Sequence, residues 1–239
     1  MTDITRWHHN LQQRWEGCRE SGFALVAAIA VNAAPPPGAQ LLPEEQERQK
    51  RYRFARDRAA YGLGRMLTRW LLMPDSPPRP FDRMPGGKPF LPGHPNFNIS
   101  HGAGVLVVVF HDEPDIGIDI ESLSRLGQAK IYYGLVCHPQ EKSHLESLPP
   151  RKSKAAFARC WTRKEALLKA AGLGVADNLA ALDMQLGATA PLFTHPAIVQ
   201  VRDIALPFDN CHCSLALPPH VPGYSIAVFN PGQTEDNLI

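Results

Sequence analysis

Residues 116–121 read Ile-Gly-Ile-Asp-Ile-Glu, and this hexapeptide restricts the fold more than any other stretch. Its strict alternation is the period of a strand with one face in a core. Ile116, Ile118 and Ile120 then point inward. Asp119 and Glu121 share the opposite face, with Cβ atoms about 7 Å apart. Two carboxylates so placed repel each other unless something positive lies between them. A hard divalent cation such as magnesium, with its preference for oxygen ligands, is a natural occupant. The same alternation also suits an edge strand whose acids are solvated.

Around this strand the periods change along the chain. Residues 23–31 are uniformly apolar and read as a buried strand, ended by Pro35-Pro36-Pro37-Gly38. Pro43-Glu44-Glu45 opens a basic amphipathic helix that the three- and four-residue spacing predicts to run to about Met73, before Pro74. A Pro/Gly-rich loop over 74–95 leads to short strands at 97–100 and 105–110. Residues 127–149 read as helix with breaks. Ser153–Ala171 reads as a strong helix closed by Gly172 and Gly174. Further strands are expected at 183–186, 197–205, 211–217 and 224–229. This order predicts an α+β fold in two halves, 1–115 and 116–239, with the last stretch supplying strands to the second half. No internal repeat in the sequence relates the halves.

The 239 residues carry a formal charge of +2, which does not suggest wholesale nucleic-acid binding. No stretch reaches the roughly 20 apolar residues that span a bilayer. The opening residues do not fit a signal peptide, and five cysteines without framework spacing agree with a reducing compartment. A cytoplasmic location is therefore expected. Cys211-His212-Cys213 is a poor start for a tetrahedral zinc site, because on a strand the cysteines share one face and the histidine takes the other. His8-His9 reads as a solvated turn or helix face.

Two further segments carry chemistry. In the helix 153–171, Phe157, Cys160, Trp161, Lys164, Leu167, Leu168 and Ala171 form one arc, where Lys164 can bury its stem and send its head outward. Glu165 and Lys169 border that arc and could hold a metal and a phosphate side by side, or form a plain surface pair. Upstream, Gly86-Gly87-Lys88-Pro89 permits close backbone approach with Lys88 as a point charge for a phosphate. Ser100 and His101 at a strand end can both donate to phosphate oxygens. A hydrolytic Ser-His-acid site is the competing reading, though adjacent residues do not easily make the required bond.

Three of these segments, in order, resemble the signature of the 4′-phosphopantetheinyl transferases. They are Phe97-Asn98-Ile99-Ser100-His101, Gly117-Ile118-Asp119-Ile120-Glu121, and Trp161-Thr162-Arg163-Lys164-Glu165 continuing to Lys169 and Gly172. Pro43 to Arg48, Phe54-Ala55-Arg56-Asp57 and Gly87-Lys88-Pro89 are similar to the family as well, and the length matches its larger, surfactin-type branch. The resemblance covers about residues 42–175. It implies two pseudo-symmetric halves, each a small antiparallel sheet packed with helices. It also implies a reaction: coenzyme A donates its phosphopantetheine arm to a serine of an apo acyl, peptidyl or polyketide carrier protein, releasing adenosine 3′,5′-bisphosphate. Carried over by motif, Asp119, Glu121 and Glu165 bind magnesium against the pyrophosphate, and Lys169 reaches the same group. Ser100 and His101 grip the nucleotide phosphates. Arg48, Arg83 and Lys88 bind the 3′-phosphate and adenine end, with Gly87 beside them. Glu165, or Glu141 through a water, takes the proton from the incoming serine. The branch implies a single-chain, monomeric enzyme. Bacterial members often place an arginine or a His-Arg pair in the first long helix. Here the stretch reads Asp57-Arg58-Ala59-Ala60-Tyr61, leaving Arg56 or Arg58 for that part.

Two other functions use the same residues. A magnesium-dependent phosphatase or nuclease would use the acidic cluster, with the basic helix as a phosphate track; the near-neutral charge and the lack of a second ligand set count against it. A non-catalytic carrier-binding module would not need all three carboxylates and Lys169.

Overall fold

The computed structural model describes residues 3–126, 129–173, 179–186, 192–195 and 197–230. Helix α1 (Asp3–Ser21) precedes strand β1 (Ala24–Ala30). Helices α2 (Pro43–Lys50) and α3 (Ala55–Leu72), the short pair β2 (Asp82–Arg83) and β3 (Pro89–Phe90), and strands β4 (Asn96–Gly102), β5 (Val105–His111) and β6 (Gly117–Ser122) follow. After two 3₁₀ turns come α4 (Tyr133–Val136), α5 (Pro139–Ser147) and α6 (Pro150–Ala170). The chain closes with β7 (Leu192–His195), β8 (Ala197–Ile204), β9 (Cys211–Leu217) and β10 (Tyr224–Phe229). The architecture is α+β, as the changing periods predict.

Two four-stranded sheets lie back to back. One runs β10-β1-β5-β4, the other β6-β9-β8-β7. Val26, Val107, Ile118 and Leu215 belong to the core shared between them. On the outer face of the first sheet, Leu11 and Trp15 of α1 and Leu63 and Leu67 of α3 build a second core with Ile29 and Leu106. On the outer face of the second, Phe157, Cys160 and Leu167 of α6 pack with Val199 and Val201. β1 and β5 are buried along their whole length because helices cover one face and the other sheet covers the opposite one. Among the described residues no helix is long and apolar enough to cross a membrane.

Four expectations are corrected. The helix expected over 43–73 is two helices. In a single helix, positions 24 residues apart would stand about 36 Å apart. Here Glu45 and Arg69 form a buried bidentate pair at 2.7 and 2.5 Å, so the chain must fold back between them. Arg58 secures the turn by donating to Tyr52 O and Arg53 O. The last strand does not join the second half: β10 lies parallel to β1 in the first sheet, with Ala24 opposite Tyr224. Residues 183–186 form no strand, because side chains take their backbone groups. Met184 N donates to Glu141, Met184 O accepts from Arg163, and Leu186 O accepts from Arg159. His8 is not solvated; it is 2% exposed and its ring lies 5.3 Å from both Trp7 and Trp70. Burial lowers its pKa to about 4. Gly174 lies outside the described residues.

Candidate active site

The site sits on the seam where β4, an edge of the first sheet, runs beside β6, an edge of the second. Gly102 permits this approach, since a side chain there would strike Ile120 O. An edge strand presents unpaired backbone groups. Here β4 side chains satisfy them: Ile118 N donates to Asn98 Oδ1 at 3.0 Å and Ile120 N to Ser100 Oγ at 3.4 Å. The alternation inferred for residues 116–121 holds, with the three isoleucines in the inter-sheet core and Asp119 turned to the side that α6 covers.

Three elements meet at Asp119. Ser100 Oγ donates to its Oδ1 at 2.7 Å, and Lys169 Nζ donates to the same oxygen at 2.5 Å. Lys169 also reaches Ser100 Oγ at 3.1 Å and Ile118 O at 3.4 Å. Ser100 thus gives its single proton to Asp119. His101, the next residue on the strand, points to the opposite face and is exposed. There it lines a cavity of about 420 Å³ with Arg56, Ser122 and Ser124. The structure therefore parts Ser100 and His101. It also separates the two arginine candidates: Arg56 faces the cavity of His101, and Arg58 holds the α2–α3 turn.

Glu165 is half-buried one turn before Lys169 on α6. Burial, and next the charge of Asp119, push its carboxyl above the usual range, against the opposing pull of Lys169. Its Oε1 is buried with no hydrogen-bond partner among the described residues. A buried, unsatisfied carboxylate oxygen that senses a second carboxylate calls for a cation. Glu121 is half-buried and accepts from Ser122 N at 2.7 Å. The donors of Asp119, Glu121 and Glu165 are all oxygens, which suits a hard divalent ion such as magnesium, but the three do not all lie within 4.8 Å of one another.

A larger cavity, about 660 Å³, lies between α2, α3 and the segment before β2. It brings together Arg48, Arg51, Arg65 and Arg83, and Lys88 is not part of it. Tyr61 and Phe81 supply its aromatic wall. The Arg65 guanidinium stands 4.6 Å from the Phe81 ring centre and 5.4 Å from that of Tyr61. The cavity offers aromatic rings and four guanidinium groups, with Glu44 and the Arg69-paired Glu45 also in its lining, and the rings and guanidinium groups are the chemistry that receives a heterocycle bearing phosphate. Arg51 and Arg65 were legible only as part of a basic helix; their convergence depends on the fold-back of α2.

Two expected site residues lie elsewhere. Lys88 is 7% exposed, and its ammonium donates to Pro114 O, Ile116 O and Ala170 O at 2.8, 2.9 and 3.4 Å. Buried among these three carbonyls, Lys88 ties the β2–β3 hairpin to β6 and α6. Burial lowers its pKa to about 8. Gly87 supplies the positive φ, +84°, that the hairpin turn requires, and its carbonyl accepts from Arg83. Gly86 lets the hairpin press on Gly172, where a side chain would collide.

Glu141 is likewise withdrawn. It is 2% exposed, receives Lys164 Nζ and His138 N on Oε2, and receives Met184 N on Oε1. Lys164 does not send its head outward; at 1% exposure it also donates to Val136 O and Leu179 O. Cys137 and Cys160 border this buried pair, and among the described residues these two with Glu141 are the only three metal-type ligands within 4.8 Å of one another. The Lys164 ammonium already supplies the positive charge there.

The family model described as the 4′-phosphopantetheinyl transferase superfamily matches residues 115–223. The chain is 32% identical over 190 residues to the 4′-phosphopantetheinyl transferase HetI of Nostoc sp. (strain PCC 7120), covering 75% of this chain and 79% of that one. It is 34% identical over 131 residues to AcpT of Salmonella typhi, with 54% and 66% covered. To the human L-aminoadipate-semialdehyde dehydrogenase-phosphopantetheinyl transferase it is 32% identical over 162 residues, which is 60% of this chain and about half, 52%, of the relative. The chain belongs to the 4′-phosphopantetheinyl transferase superfamily and is a transferase of that class.

Proposed function

We propose that this chain moves the 4′-phosphopantetheine arm of coenzyme A onto a serine of an apo carrier protein, acyl, peptidyl or polyketide, and releases adenosine 3′,5′-bisphosphate. The observation that carries the proposal is the coupling of Asp119 and Glu165 beside Lys169, with Glu165 Oε1 unpartnered. Asp119, Glu165 and Glu121 are the residues that would hold magnesium, whose chemistry is to neutralise charge on the pyrophosphate.

The chain's own residues account for the rest. Arg48, Arg51, Arg65 and Arg83 receive the adenosine and its 3′-phosphate between Tyr61 and Phe81. The carrier serine Oγ forms a bond to the phosphorus that bears the pantetheine arm, and the bond from that phosphorus to the bridging oxygen breaks. The serine proton passes to Glu165, which stands one turn before Lys169 on α6. Lys169 supplies positive charge as negative charge collects on the leaving oxygen. Glu141 is left out of this proposal, since both its oxygens are engaged in the core.

Ile131, Tyr132 and Leu135 are 63%, 48% and 72% exposed on the segment that follows β6. We place the apolar face of the carrier there, close along the chain to the acids. The enzyme acts as a single chain in the cytoplasm. The test is to incubate it with coenzyme A, magnesium and an apo carrier, then weigh the carrier. A gain of one phosphopantetheine arm is expected; an unchanged mass with several purified carriers would overturn the reading.

A further inference from the structure

Ser214 on β9 is the cross-strand partner of Asp119 on one side and of Asp203, on β8, on the other. Opposed residues in antiparallel pairs project to the same face, so the three side chains form one row beneath α6. Thr162 joins the helix to that row. Its Oγ1 lies 2.8 Å from Ser214 Oγ, and both residues are completely buried.

The far end of the row is fixed more firmly. Ser214 Oγ donates to Asp203 Oδ1 at 3.2 Å, and Arg163 adds a two-toothed grip at 2.9 and 2.7 Å. Burial alone would raise the Asp203 carboxyl, but the hydrogen bonds from Arg163 and Arg159 hold it below its usual range. Ser214 shares its single proton between Asp203 and Thr162, and Thr162, which donates to Ala158 O at 3.0 Å and lies 2.9 Å from His212 Nδ1, accepts from it.

Thr162 stands one turn before Glu165 and two before Lys169, on the same helix face. On the other side of Glu165, α6 touches β6 at Gly117, where a side chain would collide with Ala166 O and Ala170 N. The helix is thus pinned on both sides of Glu165, by a backbone contact below and a hydroxyl chain above.

We propose that Thr162, Ser214 and Asp203 are positioning residues for the divalent cation: they set the roll of α6 so that the unpartnered oxygen of Glu165 is presented toward Asp119. This rests on the reading of Asp119 and Glu165 as cation ligands. Thr162→Val keeps the buried volume and removes the link; Thr162→Ser keeps the hydroxyl. Loss of such an outer contact typically weakens a metal site by about tenfold or more.

The experiment is a manganese titration of the full chain with coenzyme A present, following free ion by electron paramagnetic resonance, on the wild type, Thr162→Val, Thr162→Ser, Ser214→Ala and Asp119→Asn. Thr162→Val and Ser214→Ala are expected to raise the manganese dissociation constant about tenfold. Thr162→Ser should stay within about twofold of wild type, and the coenzyme A KM should change little in all three. A lower melting temperature with unchanged manganese affinity in Ser214→Ala would make the chain merely structural and overturn the proposal, even if Thr162→Val fails to fold. Wild-type manganese binding by Asp119→Asn would instead overturn the cation reading itself.

Discussion

Lys169 Nζ lies 2.5 Å from Asp119 Oδ1, joining α6 to β6 across fifty positions of sequence. The pair places a positive charge beside Asp119 on the seam between the two sheets, where Ser100 completes the contact from the other sheet. Asp119→Asn keeps an oxygen to accept both hydrogen bonds and removes the charge. Transfer is expected to fall by roughly a hundredfold or more, with little change in melting temperature. Carrier mass against time and a thermal melt check both halves of that expectation.

Arg48 lines the guanidinium-rich cavity and faces the Tyr61 ring, 6.0 Å away. Hydrogen bonds to charged groups contribute about 1.5–3 kcal/mol, so Arg48→Ala should raise the KM for coenzyme A roughly 10- to 100-fold. With coenzyme A lacking its 3′-phosphate, the variant and the wild type should converge. Equal losses on both substrates would move the 3′-phosphate elsewhere.

Lys88→Met leaves three carbonyls without their shared donor. The expected cost is about 3 kcal/mol of stability, with the coenzyme A KM within a small factor of wild type. Denaturant unfolding and steady-state kinetics separate this from a phosphate-binding role, in which KM would rise and stability would hold.

His8 is buried and neutral, with its pKa lowered to about 4 by burial. Well above pH 6.5 neither the folded nor the unfolded ring binds a proton, and the site costs nothing. As pH falls toward 4 the unfolded ring takes up a proton that the folded ring refuses, so stability drops. Between pH 7 and pH 5 the loss should be about 2 kcal/mol. His8→Leu should flatten that part of the profile, as read from urea midpoints at the two pH values.

Helix α6, most strands and the motif order were legible because each depends on local period, whereas α1 was not read from the sequence. The three isoleucines and Asp119 fell as the strand period places them, and Arg48 and Arg83 share one cavity. What stayed hidden depends on partners distant in sequence. A lysine after two glycines looks like a phosphate cradle, yet Lys88 reaches carbonyls 26, 28 and 82 positions away. An apolar strand such as β10 does not encode which sheet receives it. Periodicity over 43–73 could not reveal the fold-back that the Glu45–Arg69 pair imposes. Glu141 reads as an acid on a helix start, but the buried Lys164 that claims it is visible only in three dimensions.

The most direct measurement is the transfer rate of Glu165→Gln onto an apo carrier at saturating magnesium and coenzyme A, beside the wild type. Glutamine keeps the size of the side chain and removes both its charge and its capacity to accept a proton. The expected result is a folded protein, with wild-type melting, whose carrier gains mass at least a hundredfold more slowly. Transfer at the wild-type rate would contradict a site built on Glu165 and Asp119.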